Sequence, residues 1–149
     1  MEAPVRTYVA QGLLASGVMF VVLFLITLEH ALIMVSMGAT AFIIFAMPRS
    51  RAARARSVVG GHAIGMATGM AFSLLPHQPI WLLLAACSLA VGTSIVLMTV
   101  SRTHHPPASG TALGAALAGP SPGLVLGVLL GALILALARY CLGERLKDL

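Results

Sequence analysis

The run His104-His105-Pro106-Pro107 has the most unusual chemistry in the chain. Imidazole titrates near neutrality, so a histidine here could donate to an anion, shuttle a proton or ligate a metal. The prolines forbid regular helix and push the residues before them toward extended geometry, so the run reads as a break with unpaired carbonyls. A metal fits poorly, because neither carboxylate nor cysteine lies nearby and zinc takes three or four ligands. The bland alternative is a histidine that caps a broken helix. His62, after Gly60-Gly61, is the second ring of interest, and an interfacial histidine fits its position as well as a functional one does. Glu29-His30 reads as a water-exposed turn pair, with a proton-coupling carboxylate as the minority alternative.

Two segments carry small hydroxyl residues before strongly helical sequence: Ser36/Gly38/Thr40 and Ser109/Gly110/Thr111. Ser and Thr suit N-cap positions, and the first amides of a helix are donors with partial positive charge. Two such N-termini converging near the midplane would hold an anion without a buried lysine. The alternative is ordinary close packing of small residues. The chain has only four carboxylates, Glu2, Glu29, Glu144 and Asp148. With no Ser/His/Asp arrangement, Walker loop or HExxH, hydrolytic acid–base chemistry is not expected, nor any cofactor. The chain does not read as an enzyme.

The elements that must position these groups follow from composition. Of 149 residues 59% are hydrophobic and 9% charged, and the mean hydropathy is +1.01. No soluble domain hides so much apolar surface, whereas lipid is itself an apolar solvent. Six apolar stretches can be marked, at 12–28, 31–47, 58–75, 80–100, 108–119 and 123–142, giving four to six full spans in one membrane domain. The fifth has about 12 residues and rises roughly 18 Å, short of a hydrocarbon core of about 30 Å, so one or two segments are expected to be broken or re-entrant.

All nine basic residues fall at Arg6, in the arginine loop 49–56, at Arg102 and in Arg139/Arg145/Lys147, while the connections 29–30, 76–79 and 120–122 carry none. Six crossings make these ends alternate as the positive-inside rule requires, with both termini cytoplasmic. The basic balance is thus a topology signal, not a nucleic-acid surface. Cys87 and Cys141 read as small hydrophobes, and the first apolar stretch as a retained helix. Ala/Arg-rich, Lys-poor usage points to a bacterial inner membrane.

The halves 11–76 and 80–142 share three elements in the same order. Leu14-Ala15-Ser16-Gly17 matches Leu89-Ala90-Val91-Gly92, the Ser36 run matches the Ser109 run, and Gly61/Gly65/Gly69 matches Gly123/Gly127/Gly131. Three crossings per half would make an inverted repeat, an architecture of transporters. The glycine series also offer contact faces, within the chain or in a homo-oligomer.

From Arg102 to Leu113 the sequence resembles the HPP family of integral membrane proteins, named for His-Pro-Pro. Ser36-Met37-Gly38-Ala39-Thr40-Ala41 with Phe45 to Ser50 resembles the family's second motif, and Arg56 to His62 its third. The family usually has Asn where Ser57 stands, and Ala-Gly-Ala-Thr-Ala where this chain reads Ala108 to Ala112. Plastid and cyanobacterial members are associated with nitrite transport, so the resemblance implies a small-anion transporter, nitrite first. On this reading Ser36, Gly38, Thr40, His105, Pro106, Pro107, Ser109, Gly110 and Thr111 face the anion between the two halves. Arg56, His62, Arg102 and His104 form a cytoplasmic vestibule. The rivals are a non-transporting membrane subunit that binds lipid through its basic loop, and a proton-coupled carrier of another solute.

Overall fold

The computed structural model describes residues 5–25 and 31–149, leaving aside the side chains of 25, 31–34 and 144. Glu29-His30 therefore lies outside the described residues. Six helices follow one another: α1 (Val5–Leu25), α2 (Ala31–Ala46), α3 (Ala55–Phe72), α4 (Ile80–Val100), α5 (Pro107–Ala118) and α6 (Pro122–Leu142). Single 3₁₀ turns occupy Arg51–Ala53 and Gly143–Arg145, and no strand occurs among the described residues. The chain is an all-α integral membrane protein. Helices α1, α4 and α6 are long and apolar enough to cross a bilayer, and the shorter Val35–Ala46 stretch of α2 is apolar as well.

The helix ends follow local chemistry. Pro48 stops α2, and the Ser50 hydroxyl accepts from the Ala53 amide 3.2 Å away to start the 3₁₀ turn. Ser121 does the same for Leu124 at 3.3 Å, with Pro122 as the first residue of α6. α5 rises only about 18 Å over its 12 residues. It ends at Gly119, whose φ of 77° suits a residue without a side chain. By contrast α2 is one continuous helix, so the expected interruption at Ser36 is not there. α5 is the shortest of the six helices, with α2 next at 16 residues.

Helices α3 and α5 form the centre. α4 packs on both, α2 on α5, α6 on α3 and α2, and α1 lies outside against α2 and α6. This neighbour pattern is unchanged when α1, α2, α3 are exchanged with α4, α5, α6. Lipid provides no hydrophobic drive between helices, so contact depends on close fit. α3 supplies it with glycine. A Cβ on Gly61 would lie 2.7 Å from the Cβ of His105, one on Gly69 would lie 2.5 Å from the Ala112 carbonyl, and one on Gly65 would collide with the Ala108 carbonyl. Ala108, Ala112 and Ala115 answer from α5, all fully buried. The α3 glycine series is thus used inside the chain. Large apolar side chains face outward, such as Phe24 at 80% and Val35 at 73% exposure, as lipid-facing positions should.

The basic segments meet at one end of the bundle. Arg139 of α6 donates twice to the Pro48 carbonyl, at 3.1 and 2.8 Å, and Arg56 of α3 donates to the Ser101 carbonyl after α4 at 3.0 Å. The Arg49 amide donates to Asp148 at 3.1 Å, and the Leu149 amide to the Ala46 carbonyl at 2.9 Å. Gln11 of α1 joins them: its amide nitrogen donates to the carbonyls of Phe45 and Lys147, and its oxygen accepts from the Lys147 amide. Successive helices therefore alternate in direction, each starting or ending at this basic face.

Candidate functional site

Five polar side chains from three helices and one linker meet inside the bundle. Ser36 and Thr40 lie one turn apart on α2, His62 lies on α3, Thr111 on α5, and His105 just before α5. All are buried, with Thr40, His62 and Thr111 at zero exposure. Burying hydroxyls and imidazoles without partners would cost roughly 1–3 kcal/mol per group, so their contacts must be complete. They are. The Ser36 hydroxyl lies 2.9 Å from that of Thr111, and Thr111 lies 2.8 Å from His62 Nδ1. His62 Nε2 is 2.9 Å from the Thr40 hydroxyl, which is 3.0 Å from His105 Nε2. His105 Nδ1 donates to the Ala52 carbonyl at 2.8 Å, and the two rings meet edge to face with centroids 5.0 Å apart.

Helix geometry accounts for the convergence. On α3, Val58, His62, Gly65 and Gly69 are spaced by four, three and four, so one stripe faces α5, and the glycines let the backbones approach until His62 reaches Thr111. On α2, Ser36, Thr40 and Ile44 share one inward stripe. The depth of the cluster follows from the same counting. Thr111 is four residues into α5 and His62 seven into α3, about 6 and 10 Å from the basic helix ends. Ser36, at the other end of the cluster, is ten residues from the basic end of α2, about 15 Å.

The paired helix N-termini are corrected. Ser36, Gly38 and Thr40 lie inside α2, where backbone amides are used by the helix. At α5 the amides of Ala108 and Ser109 already donate to the carbonyls of His105 and Pro106, at 2.9 and 3.1 Å. Pro106 is itself helical, at φ −50° and ψ −40°, and Pro107 fits the first helical position because its missing N–H would have had no partner there. No row of free amides remains to receive an anion, and the carbonyls expected to be unpaired are used.

Other expected residues are distributed as follows. Gly38 is exposed, with nothing near the place of its missing Cβ, and takes no part in the cluster. Gly110 lets α5 approach α2, a Cβ there meeting that of Ser36 at 3.4 Å. Ser109 and Pro106 line a chamber of about 280 Å³ together with His104 and His105. Pro107 and Pro106, with Ser36 and Gly110, border a cleft of about 600 Å³ between α2 and α5. His62 does not belong to the vestibule; the α3–α5 approach draws it into the interior.

Arg56, Arg102 and His104 do share a basin of about 480 Å³, completed by Arg51, Arg54, Ser57 and Thr99. Arg51 and Arg54 read in the sequence as topology signals alone; their spacing of three, across a single 3₁₀ turn, is the signal that points to a shared basin. The position of Ser57, where the family usually has Asn, lies in this basin. Arg102 has φ 57°, the left-handed region usually given to glycine at a helix end. The Thr103 amide reaches back to the Met98 carbonyl at 2.9 Å and that of Arg102 to Thr99 at 3.2 Å, the doubled bond of a Schellman ending. A side chain at this position costs about 1 kcal/mol, so arginine stands here against the backbone's own preference. Among the described residues no group of three or more His, Cys, Asp or Glu is placed to hold a metal.

Residues 3–146 match the family model described as HPP, transmembrane region. Two transmembrane proteins of Dictyostelium discoideum are similar, one 36% identical over 78 residues (52% of this chain and 27% of that protein), the other 33% identical over 85 residues (57% and 27%). The chain therefore spans about a quarter of the length of these relatives. No solved structure matches it. With the match running from before α1 into the second 3₁₀ turn, through the arginine loop, the His-Pro-Pro linker and the buried cluster, the chain belongs to the HPP family of transmembrane proteins.

Proposed function

We propose that the protein carries a small inorganic anion, nitrite first, across a bacterial inner membrane, with the basic face and both termini in the cytoplasm. The observation that carries the reading is the basin, where Arg51, Arg54, Arg56 and Arg102 converge with His104 and, among the described residues, no carboxylate lines the wall. Such a concave cationic surface concentrates anions by Coulomb attraction. The wall lies beside the chamber of His104 and His105, and so leads toward the buried cluster. Nitrite as the cargo comes from the family resemblance, the anion class from the charge of the basin, and the orientation from the gathered arginines. The alternation of helices and the exchangeable neighbour pattern support two inverted half-repeats, 11–76 and 80–142, with Ser36/Thr40 and Thr111 at their junction.

The test is flux of nitrite, nitrate, formate and chloride into proteoliposomes of the purified protein. Arg102→Gly is the informative variant. It removes one basin charge and also relieves the left-handed strain, so the protein should unfold at slightly higher temperature, by about 1 kcal/mol of stability. Nitrite uptake at low ionic strength should nevertheless fall roughly tenfold. Unchanged uptake in this well-folded variant would remove the basin from the pathway, and absence of flux for all four anions would sink the transport reading.

A further inference from the structure

We infer that the basin of Arg51, Arg54, Arg56 and Arg102 is the headgroup seat of one anionic phospholipid, and that the chamber beside it takes the start of an acyl chain. The anion reading draws on the charge of the same arginines, but a seated lipid requires no transport. A phosphodiester carries one negative charge, so against four arginines the basin stays cationic toward a small anion.

The basin is built for more than a three-atom anion. Concavities of about 300–1,000 Å³ enclose ligands of drug size, and this one holds about 480 Å³. Its donors are also left over from folding. Arg56 spends one N–H on the Ser101 carbonyl, whereas among the described residues nothing pairs with the guanidinium groups of Arg51, Arg54 or Arg102. Ser57 lines the same wall at 5% exposure, and its hydroxyl has no hydrogen-bond partner among the described residues. A buried hydroxyl without a partner is costly, and a phosphate oxygen would satisfy it. Guanidinium forks match phosphate oxygens two at a time, which suits this seat to a phosphate better than to a lone charge.

The second observation is what adjoins the basin. Thr99 and His104 line both it and the chamber of about 280 Å³, where Ile95, Met98 and Pro106 make the wall apolar. Ile95 is half exposed and lies five residues from the end of α4, about 8 Å from the basic face. That depth is where headgroup gives way to hydrocarbon in a bilayer. Pro106 also borders the apolar cleft between α2 and α5, so the chain has a groove to follow. A soluble anion has no use for this apolar extension. A lipid joins a phosphate and a chain covalently in the same order, and basic pockets between helices hold such headgroups.

The purified protein in a neutral detergent is titrated with phosphatidylglycerol, with phosphatidylcholine of the same chains and with glycerol phosphate, and native mass spectrometry counts what stays bound. One phosphatidylglycerol should be retained, at a half-saturating concentration roughly a hundredfold below that of phosphatidylcholine. Glycerol phosphate should not be retained. Arg51→Gln/Arg54→Gln should raise the half-saturating concentration about thirtyfold. Arg6→Gln/Arg145→Gln removes as much exposed charge from the same face outside the basin, and should have less than about a threefold effect. Ile95→Trp fills the chamber from its lipid side with every arginine in place, and should weaken retention about tenfold. Thermal unfolding without lipid shows that each variant is folded. Equal losses from the two arginine pairs, or equal retention of the two lipids, would mean diffuse attraction and overturn the seat. Glycerol phosphate held as tightly as the lipid, or Ile95→Trp without effect, would remove the chain from the chamber and overturn it too. No readout involves flux, so this inference and the anion reading can fail separately.

Discussion

At the scale of single residues, the histidines matter more than the prolines of the motif. His105 and His62 are held by one threonine between them. The Ala52 carbonyl can only accept, so His105 carries its proton on Nδ1. With Thr40 donating its one proton to His105 Nε2, it can only accept from His62 Nε2, which gives the rings opposite tautomers. Nitrogen-15 NMR of the protein in lipid should resolve two neutral rings of opposite tautomer, and two rings of the same tautomer would contradict the assignment. Part of this is legible in sequence by residue type, since Ser36, Thr40, His105 and Thr111 all stand among the residues expected to face an anion, Ser36, Thr40 and Thr111 as helix starts and His105 in the helix-breaking run. The position of His62 was not. Its chain neighbourhood beside a basic loop suggested an interface, and only the stripe Val58, His62, Gly65, Gly69 carries it inward. The helix N-termini failed as an anion site for a related reason. Motif spacing does not reveal which amides already have partners, and at α5 the carbonyls of His105 and Pro106 had taken them.

At the scale of elements, the central pair α3–α5 depends on how closely two backbones can approach. Gly65→Ala places a methyl into the Ala108 carbonyl, where backbone cannot yield cheaply, and should destabilise the protein by about 1–3 kcal/mol through overpacking. Gly38→Ala, on the open face of α2, should be neutral or slightly stabilising by helix propensity. Thermal unfolding of both variants in detergent measures the difference, and equal effects would mean that the approach of α3 to α5 is not tight. Element boundaries were largely readable, because prolines at 48, 76, 79, 106, 107, 120 and 122 punctuate the apolar runs. The continuity of α2 was harder to read, since Ser, Gly and Thr in one turn look like a helix start in isolation. In a crowded bundle they are simply the residues that fit beside α5.

At the scale of the whole molecule, every described basic segment is tied to the same end of the bundle. In a background with Cys87→Ser and Cys141→Ser, a cysteine placed at Ser50 or Gly143 should react with a membrane-impermeant maleimide only from the cytoplasm. One at Gln78, in the uncharged connection after α3, should react only from outside. Labelling of Ser50 and Gln78 positions from the same side would overturn the alternation of the helices. Composition alone points to the membrane, and loop charge carries the proposed orientation. Neither could show that the two helices least apolar for a bilayer, α3 and α5, are the ones enclosed by the rest.

The lacing of the basic face also runs through one side chain. Gln11 is held by Lys147 on both sides of its amide, across 136 residues, and Leu149 closes onto the end of α2. Elsewhere α1 packs through fully buried Val22, with Ala15, Val18 and Met19 beside it, while Val5, Val9, Leu13, Phe20 and Phe24 face outward. One side chain of α1 thus clasps the end of α2 and the segment after α6 together, so that loss of Gln11 undoes both fastenings at once.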